Sequence, residues 1–437
     1  MNVLEYIRQT ADALEPQLMA QRRDFHKYAE SGWQEMRTSS IIARKLTDLG
    51  YEVLTGAQVC KKDARMGVPD EVVLEKAYQR AIEQGADPEF VEATRGGMTG
   101  VIGILRCGEG PTVAMRFDID ALGVIESDEE DHRPAKEGFA SVNYGSMHSC
   151  GHDGHATIGL GVAQVLMGMK EQLHGTVKLI FQPAEEGVRG AKSIVENGHL
   201  DGVQYMFGAH ITAFLPSEPG AIVTPGCHGS LATCKYDVTF TGTAAHAGVA
   251  PQAGNNALLA AATAVLNLQA IPRHREGSTR INVGTLVAGT GRNVIPDQAK
   301  MEIEVRGATT NINNFMCEYA TRILENAAAM HGCTCQIKLM GAADSAASDI
   351  AFCERIARVC KEDLDIPVSN VLSANSAGSE DVAYMINRVQ EQGGQATFMR
   401  IRTTTAAGAH NRRFDFGEEL MANAVKVFCA TTYDILK

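Results

Sequence analysis

"HATIGLGVAQVLMGMKEQLHGTVKLIFQPAEE" occupies residues 155–186. In its first half Ile158, Val162, Val165, Leu166 and Met169 recur at helical spacing and share one face. Past His174–Gly175 the pattern becomes a short apolar, β-branched run, which reads as a strand. Similar short runs stand at "VIGILRC", "TVAMRFDIDAL", "YMFGAHI" and "ATFMRIR", several of them separated by helical segments. Strands alternating with helices predict an α/β fold: a mixed, mostly parallel sheet covered on both sides by helices.

Upstream, residues 4–49 read as helix, with Gly50 as a stop. The charged stretch "PDEVVLEKAYQRAIEQGADPEFVEAT" predicts two short helices split near Gly85–Asp87, an insertion spanning 55–97. From about Thr233 the patterns run strand, helix, strand, strand, helix, strand. That β-α-β-β-α-β order is the order of a ferredoxin-like unit. The expected division is therefore 1–228 with 343–437 as one domain, and 229–342 as a second domain inserted into it.

Among 437 residues, 45% are hydrophobic and the net charge is -12, ample for a buried core and opposed to a nucleic-acid or anionic-membrane role. No stretch approaches the roughly 20 apolar residues of a membrane span, and the start of the chain has no apolar signal-peptide core. Eleven cysteines without framework spacing suggest reduced thiols and a cytoplasmic location.

Donors of metal-binding type crowd the entrance to the helix that opens the 155–186 stretch. Cys150 and His152 flank a glycine, so the backbone can fold tightly and aim both at one point. "FQPAEEG" ends a strand with Glu185 and Glu186, "FGAH" ends another with His210, and "AAGAHNRRFDF" places His410 in a loop after a third. Each alone reads more readily as a polar loop residue. Sites in open α/β sheets form beyond the carboxyl ends of strands, so these loops could converge on one crevice. Adjacent carboxylates repel, and a cation offsets that cost while leaving one acid free to take a proton.

The ordered set "FDIDAL", "HSCGHDGH", "FQPAEEG", "FGAHI", "GTAAHAG", "GRNVIPD" and "GAHNRRFDF" resembles the metal-dependent amidohydrolases that include hippurate hydrolase, plant auxin-conjugate hydrolases and bacterial aminoacylases. The resemblance spans roughly residues 20–430. "RRDFHKYAESGW", the insertion with "RMGVPDE" and the string "TGTAAHAG…NALLAAA" are similar to the branch that cleaves p-aminobenzoyl-glutamate to p-aminobenzoate and glutamate.

The resemblance implies two divalent metal ions bridged by Cys150, with Glu186 and His410 completing one site and His152 and His210 the other. Asp118 stands where the wider superfamily has a ligand histidine, and His152 takes over that role. Thiolate softness suits zinc, while water-bearing carboxylate and imidazole sites also accept manganese, towards which this branch leans. Asp120 is expected to orient a ligand, and His148 and His155 to pack.

Glu185 is the expected general base. The inserted domain is by resemblance a lid and dimerisation module, from which His246 steadies the oxyanion in a neighbouring protomer. Asn293 is expected to touch a substrate carboxylate or the oxyanion, Arg292 to pair with a carboxylate of the leaving glutamate, and Arg306 to be a further substrate contact. The implied partners are a small N-acyl amino acid substrate and a second subunit, identical or related. Two alternatives stay open: another N-acyl amino acid, benzoyl or acetyl, as substrate, and a non-catalytic partner subunit on the same fold.

Overall fold

The computed structural model describes residues 2–437 apart from 371 and 373–377. Its strands are β1 Glu52–Thr55, β2 Val101–Arg106, β3 Thr112–Asp118, β4 Thr176–Gln182, β5 Tyr205–Ala213, β6 Val223–Thr224, β7 Ala232–Thr241, β8 Thr279–Ala288, β9 Gln298–Gly307, β10 Thr334–Ala343 and β11 Gln395–Thr403. One sheet has the order β1-β2-β4-β3-β5-β11-β6. Its centre, β4-β3-β5-β11, is parallel, and antiparallel pairs close both edges. The carboxyl ends of four strands therefore open on one rim.

Alternation along the central strands divides the core. Phe207, Ala209 and Ile211 of β5 and Met399 and Ile401 of β11 face one apolar cluster. Met206, Ala396 and Phe398 face the other. The helix His152–Gly168 is buried almost all round, so it is apolar on every side. Gly159 lets it settle on the sheet, since a Cβ there would lie 2.7 Å from Phe181 and 2.8 Å from Phe117. Rings as fully buried as Phe181 and Phe207 contribute about 1.5–3 kcal/mol each.

The N-terminal segment departs from the single helix expected over 4–49. It forms three helices, Val3–Ala13, Glu15–Lys27 and Met36–Asp48. Pro16 restarts the second, in a first turn where the missing N–H is not needed. Between the second and third, buried Glu30 accepts the backbone N–H groups of Arg37 at 3.0 Å and Thr38 at 2.8 Å. The insertion holds one helix, Glu71–Glu83, and three 3-10 turns, Gly56–Gln58, Lys62–Ala64 and Val91–Thr94, instead of two helices. Gly85 ends the helix with φ 88°, and Asp87 is tied to Arg44 at 2.9 Å, which leaves no run for a second one.

The remaining strands form an antiparallel sheet in the order β10-β7-β9-β8. Helices Ala257–Gln269 and Thr310–Met330 pack on one face around Phe240, Met301, Ile303 and Met316. The other face is open and polar. This is the expected β-α-β-β-α-β succession.

Candidate metal centre and active site

Gly151 takes φ 86°, a conformation that glycine adopts without strain, and it turns Cys150 and His152 towards a common point. His152 opens the buried helix and donates from Nδ1 to the Asp120 carbonyl at 2.8 Å, which leaves Nε2 with a free lone pair. His210 lies inside β5 rather than at its end. It donates from Nδ1 to the Ile211 carbonyl at 2.7 Å, and its Nε2 lies 3.3 Å from the Cys150 thiol. Both rings are thus fixed in the tautomer that a metal ligand needs.

Ligand atoms of Cys150, His152 and His210 all lie within 4.8 Å of one another, as do those of Cys150, Glu186 and His410. Cys150 belongs to both groups. His152 Nε2 and Glu186 Oε1 are buried without a hydrogen-bond partner among the described residues. Orphaned buried acceptors are costly unless a cation completes them, so the donor set fits two metal ions. His155 also lies close, but its Nδ1 bonds Asp118 and its Nε2 accepts the Ile211 N–H at 2.9 Å, so both nitrogens are spent. His148 is buried with neither ring nitrogen partnered among the described residues, and burial drops it to about 4, so it stays neutral.

The charges tell the same story. Burial, then Glu380, Glu186 and Asp381, push Glu185 well above the usual carboxylate range. Burial, opposed by His152 and assisted by Asp120 and Glu380, raises Glu186 to about 7. Burial opposes charge on His152, yet Asp118, Asp120 and Cys150 hold it well above its ordinary value. Burial, His155 and Arg400 hold His210 well below its own. Acids crowd this rim beyond what its arginines balance.

The loop after β4 is held by backbone donors pointing at three buried acids. Glu35 accepts the Ala184 N–H at 2.7 Å. Asp120 accepts the N–H groups of Glu185 and Glu186 at 2.9 Å each. Asp381 accepts those of Gly190 and Ala191, also at 2.9 Å. Ala184 and Val188 sit at φ 51° and 61°, and His410 at φ 65°. Left-handed backbone at such residues costs on the order of 1–3 kcal/mol each; the three carboxylates offset it in the loop that holds Ala184 and Val188, while the His410 N–H is held by the Ser149 carbonyl at 2.8 Å. Asp120 therefore orients two successive carboxylates as well as one imidazole.

Glu35, Glu380, Asp381 and Arg400 are not among the residues that sequence reasoning singled out. "GSEDV" carries a signal that could have found two of them: Glu380 and Asp381 are adjacent acids among small residues, as Glu185 and Glu186 are.

His246, Arg292 and Asn293 stand elsewhere, on two exposed loops of the four-stranded unit. Ala247 donates to the Asn293 carbonyl at 3.0 Å, and a bridge joins His246 to Val294. His246 Nδ1 accepts N–H groups of Gly248 and Val249 at 3.2 Å, so the proton sits on an outward Nε2. Arg306 lies on β9 and pairs with Glu304 at 3.0 Å. Among the described residues no hydrogen bond or ion pair joins any of the four to the Cys150 cluster.

A cysteine thiol, imidazoles and a carboxylate on one rim, with a second carboxylate beside them, are the equipment of a metal-dependent hydrolase acting on amide bonds. The chain belongs to peptidase family M20/M25/M40, which matches residues 114–434. It is 47% identical to the indole-3-acetyl-aspartic acid hydrolase of Enterobacter agglomerans, over 98% of this chain and 97% of that one. It is 44% identical to one of the subunits of the p-aminobenzoyl-glutamate hydrolase of Escherichia coli (strain K12), over 98% of each.

Among solved structures, the aminobenzoyl-glutamate utilization protein of Klebsiella pneumoniae is 40% identical with a TM-score of 0.83, covering 99% of this chain and 98% of that one. A Bacillus subtilis protein described as a dinuclear metal binding peptidase from the M20 family is 26% identical with a TM-score of 0.65, covering 97% and 99%. No helix of the described residues is long and apolar enough to cross a membrane.

Proposed function

We propose that this chain hydrolyses p-aminobenzoyl-glutamate to p-aminobenzoate and glutamate, with Glu185 as general base. The observation that carries the reading is Glu185 itself: 7% exposed, a member of neither group that contains Cys150, and with its carboxylate within 4.8 Å of ligand atoms of His152 and Glu186. Cys150, Glu186 and His410 would hold one cation and Cys150, His152 and His210 the other, manganese or zinc. When bound, such ions supply Lewis acidity to the scissile carbonyl and a water acidic enough to attack it.

The chain's own residues do the rest. Glu185 takes the proton of the attacking water at a carboxylate oxygen and returns it to the departing nitrogen as the C–N bond breaks. Asp120 fixes the direction of both glutamates through their backbone N–H groups. The inserted unit, 229–342, serves as lid and dimerisation module over a catalytic unit of 1–228 and 343–437. His246 meets the oxyanion and Asn293 the substrate, both from a neighbouring protomer. Arg292 and Arg306 lie on that same unit as candidate carboxylate contacts. If Arg292 pairs with the glutamate, Arg292→Ala raises KM for the glutamate conjugate by about 10-fold or more and leaves an uncharged conjugate within about 2-fold; equal effects on both would remove the role.

The deciding experiment is release of p-aminobenzoate by the purified chain with manganese, first by itself and then mixed with a related second subunit. The E. coli relative is named as one component of a hydrolase with subunits, which supports a heteromer, and release only from the mixture is the expected signature of one. No release from either sinks the substrate assignment. A second reading has its own support, because the Enterobacter relative is named for indole-3-acetyl-aspartate. Hydrolysis of an indoleacetyl or benzoyl conjugate in preference to p-aminobenzoyl-glutamate would favour it.

A further inference from the structure

We infer that Arg400 recognises a carboxylate of the substrate's amino-acid half, and so sets the preference for acidic amino acids; this rests on the amide-hydrolase reading above. Arg400 lies on β11 in register with His210 of the parallel neighbour β5, and with Thr224 of β6 on its other side. Paired residues of parallel strands point to the same face. The alternation agrees, because Met399 and Ile401 enter the opposite core while Phe398 shares the face of Arg400. Arg400 is therefore beside a ligand of the candidate centre, on its side of the sheet.

An arginine in a central strand ordinarily spends its donors on a neighbour. Arg402, two residues on, does so, bonding Thr224 Oγ1 at 3.1 Å and the Ala213 carbonyl at 3.1 Å. Arg400 does not. Its Nη1 is buried and bonds nothing among the described residues, and no ion pair joins Arg400 to an acid there. Its guanidinium rests 4.9 Å over the Phe398 ring, which fixes the plane of the fork and leaves its edge for a planar anion.

The anionic neighbour that could claim it is Glu380, whose Oε2 is likewise buried and without a hydrogen-bond partner among the described residues. The two remain apart. A half-buried fork that bonds no acid among the described residues, beside a ligand residue of the candidate centre in a chain with net charge -12, selects an acid as ligand. The two relatives with 44–47% identity are named for conjugates of aspartate and glutamate, which share that group.

The test uses the manganese-loaded full chain, with any required second subunit, on three substrates: p-aminobenzoyl-glutamate and its γ-amide and α-amide. These separate the two carboxylates that could meet Arg400. Wild type is expected to prefer the diacid over one of the amides. Arg400→Gln should lower kcat/KM for the diacid by about 10²-fold, mainly through KM, and erase that one preference. Arg400→Lys should restore part of it. Metal content and unfolding midpoint should stay at wild-type values.

Preferences that survive in Arg400→Gln overturn the assignment, and so do equal losses on all three substrates with lowered metal, which would mean that Arg400 merely balances Glu380. Should wild type cleave none of the three, the hydrolase reading fails by itself, and calorimetric titration with L-glutamate then decides. Weaker binding by Arg400→Gln upholds the carboxylate site, and equal binding removes it.

Discussion

Glu185→Gln is expected to bind two metal ions per chain as wild type does and to lose about 10³-fold or more in kcat, with KM changed little. Positioned acid–base catalysis supplies about 10²–10⁴-fold by itself. A carboxamide keeps the shape and the burial, and Glu186 keeps its hold on Asp120 through a backbone N–H at 2.9 Å. Only the proton acceptor goes. The variant also relieves a site in which burial, Glu380, Glu186 and Asp381 all work against a charge on residue 185, so its metal-free form should be no less stable. Metal analysis beside steady-state rates checks this. Activity near wild type would transfer the base to another residue.

Arg22→Met is expected to destabilise the fold by about 3–5 kcal/mol at pH 7, the usual cost of stranding a buried ion-pair partner. Arg22 is fully buried and reaches Asp153 at 2.8 Å, Asp415 at 3.0 Å and Glu418 at 3.3 Å. Asp153 neighbours His152, so this network anchors the start of the metal-binding helix from behind. Burial disfavours the Asp153 charge, but Arg22 and His26 outweigh it and hold the carboxyl far below its ordinary range.

The sign follows from that depression. Stability from a depressed carboxylate is present above its unfolded value, near 3.9, and is lost as pH falls. His26 acts in the opposite sense. Burial and Arg22 lower it, yet Asp153 and Glu126 leave it raised. Its contribution is complete below about pH 6.5 and fades as pH rises through the folded value. Removing Arg22 raises His26 further. The gap between wild type and variant is therefore widest near neutrality and narrows towards pH 4. Urea unfolding at both pH values, at fixed metal concentration, reads it. A gap independent of pH would show that Arg22 acts by packing on Phe416, 4.4 Å from its guanidinium, and not by charge.

Elements with a strong period were legible from the chain. The 155–186 stretch folds as a helix and a strand, and the inserted succession of strands and helices keeps its order, because alternation and helical spacing record which face is buried. The N-terminal helix was over-extended because Glu30, an acid in a polar run, gives no sign that it will accept N–H groups from residues 37 and 38. Among site residues, Cys150, His152, Glu186, His210 and His410 stood out by chemical type and, for Glu186 and His410, by place after strands, and the structure brings them together.

Glu35 and Asp381 passed unnoticed for a different reason. Their work is to accept backbone N–H groups from a loop about 150 and 190 positions away in sequence, and spacing in one chain does not encode such a meeting. Arg400 was the more visible omission. A guanidinium within the otherwise apolar run "ATFMRI" is a cation in a central strand, and it needs a partner of some kind.

The insertion provides none of the candidate ligands, yet it has a hand on one. Gly67, at φ 56°, offers its carbonyl to Arg189 at 3.1 Å, and Arg189 holds the Glu186 carbonyl at 2.8 Å. A Cβ at Gly67 would lie 2.5 Å from the Met340 carbonyl oxygen, so the same segment also packs against the bulge of β10. Engineers who trade acyl preference between related enzymes by swapping pocket side chains would carry over the furniture and leave a supporting wall behind. A working chimera should take residues 55–97 and position 189 as one cassette.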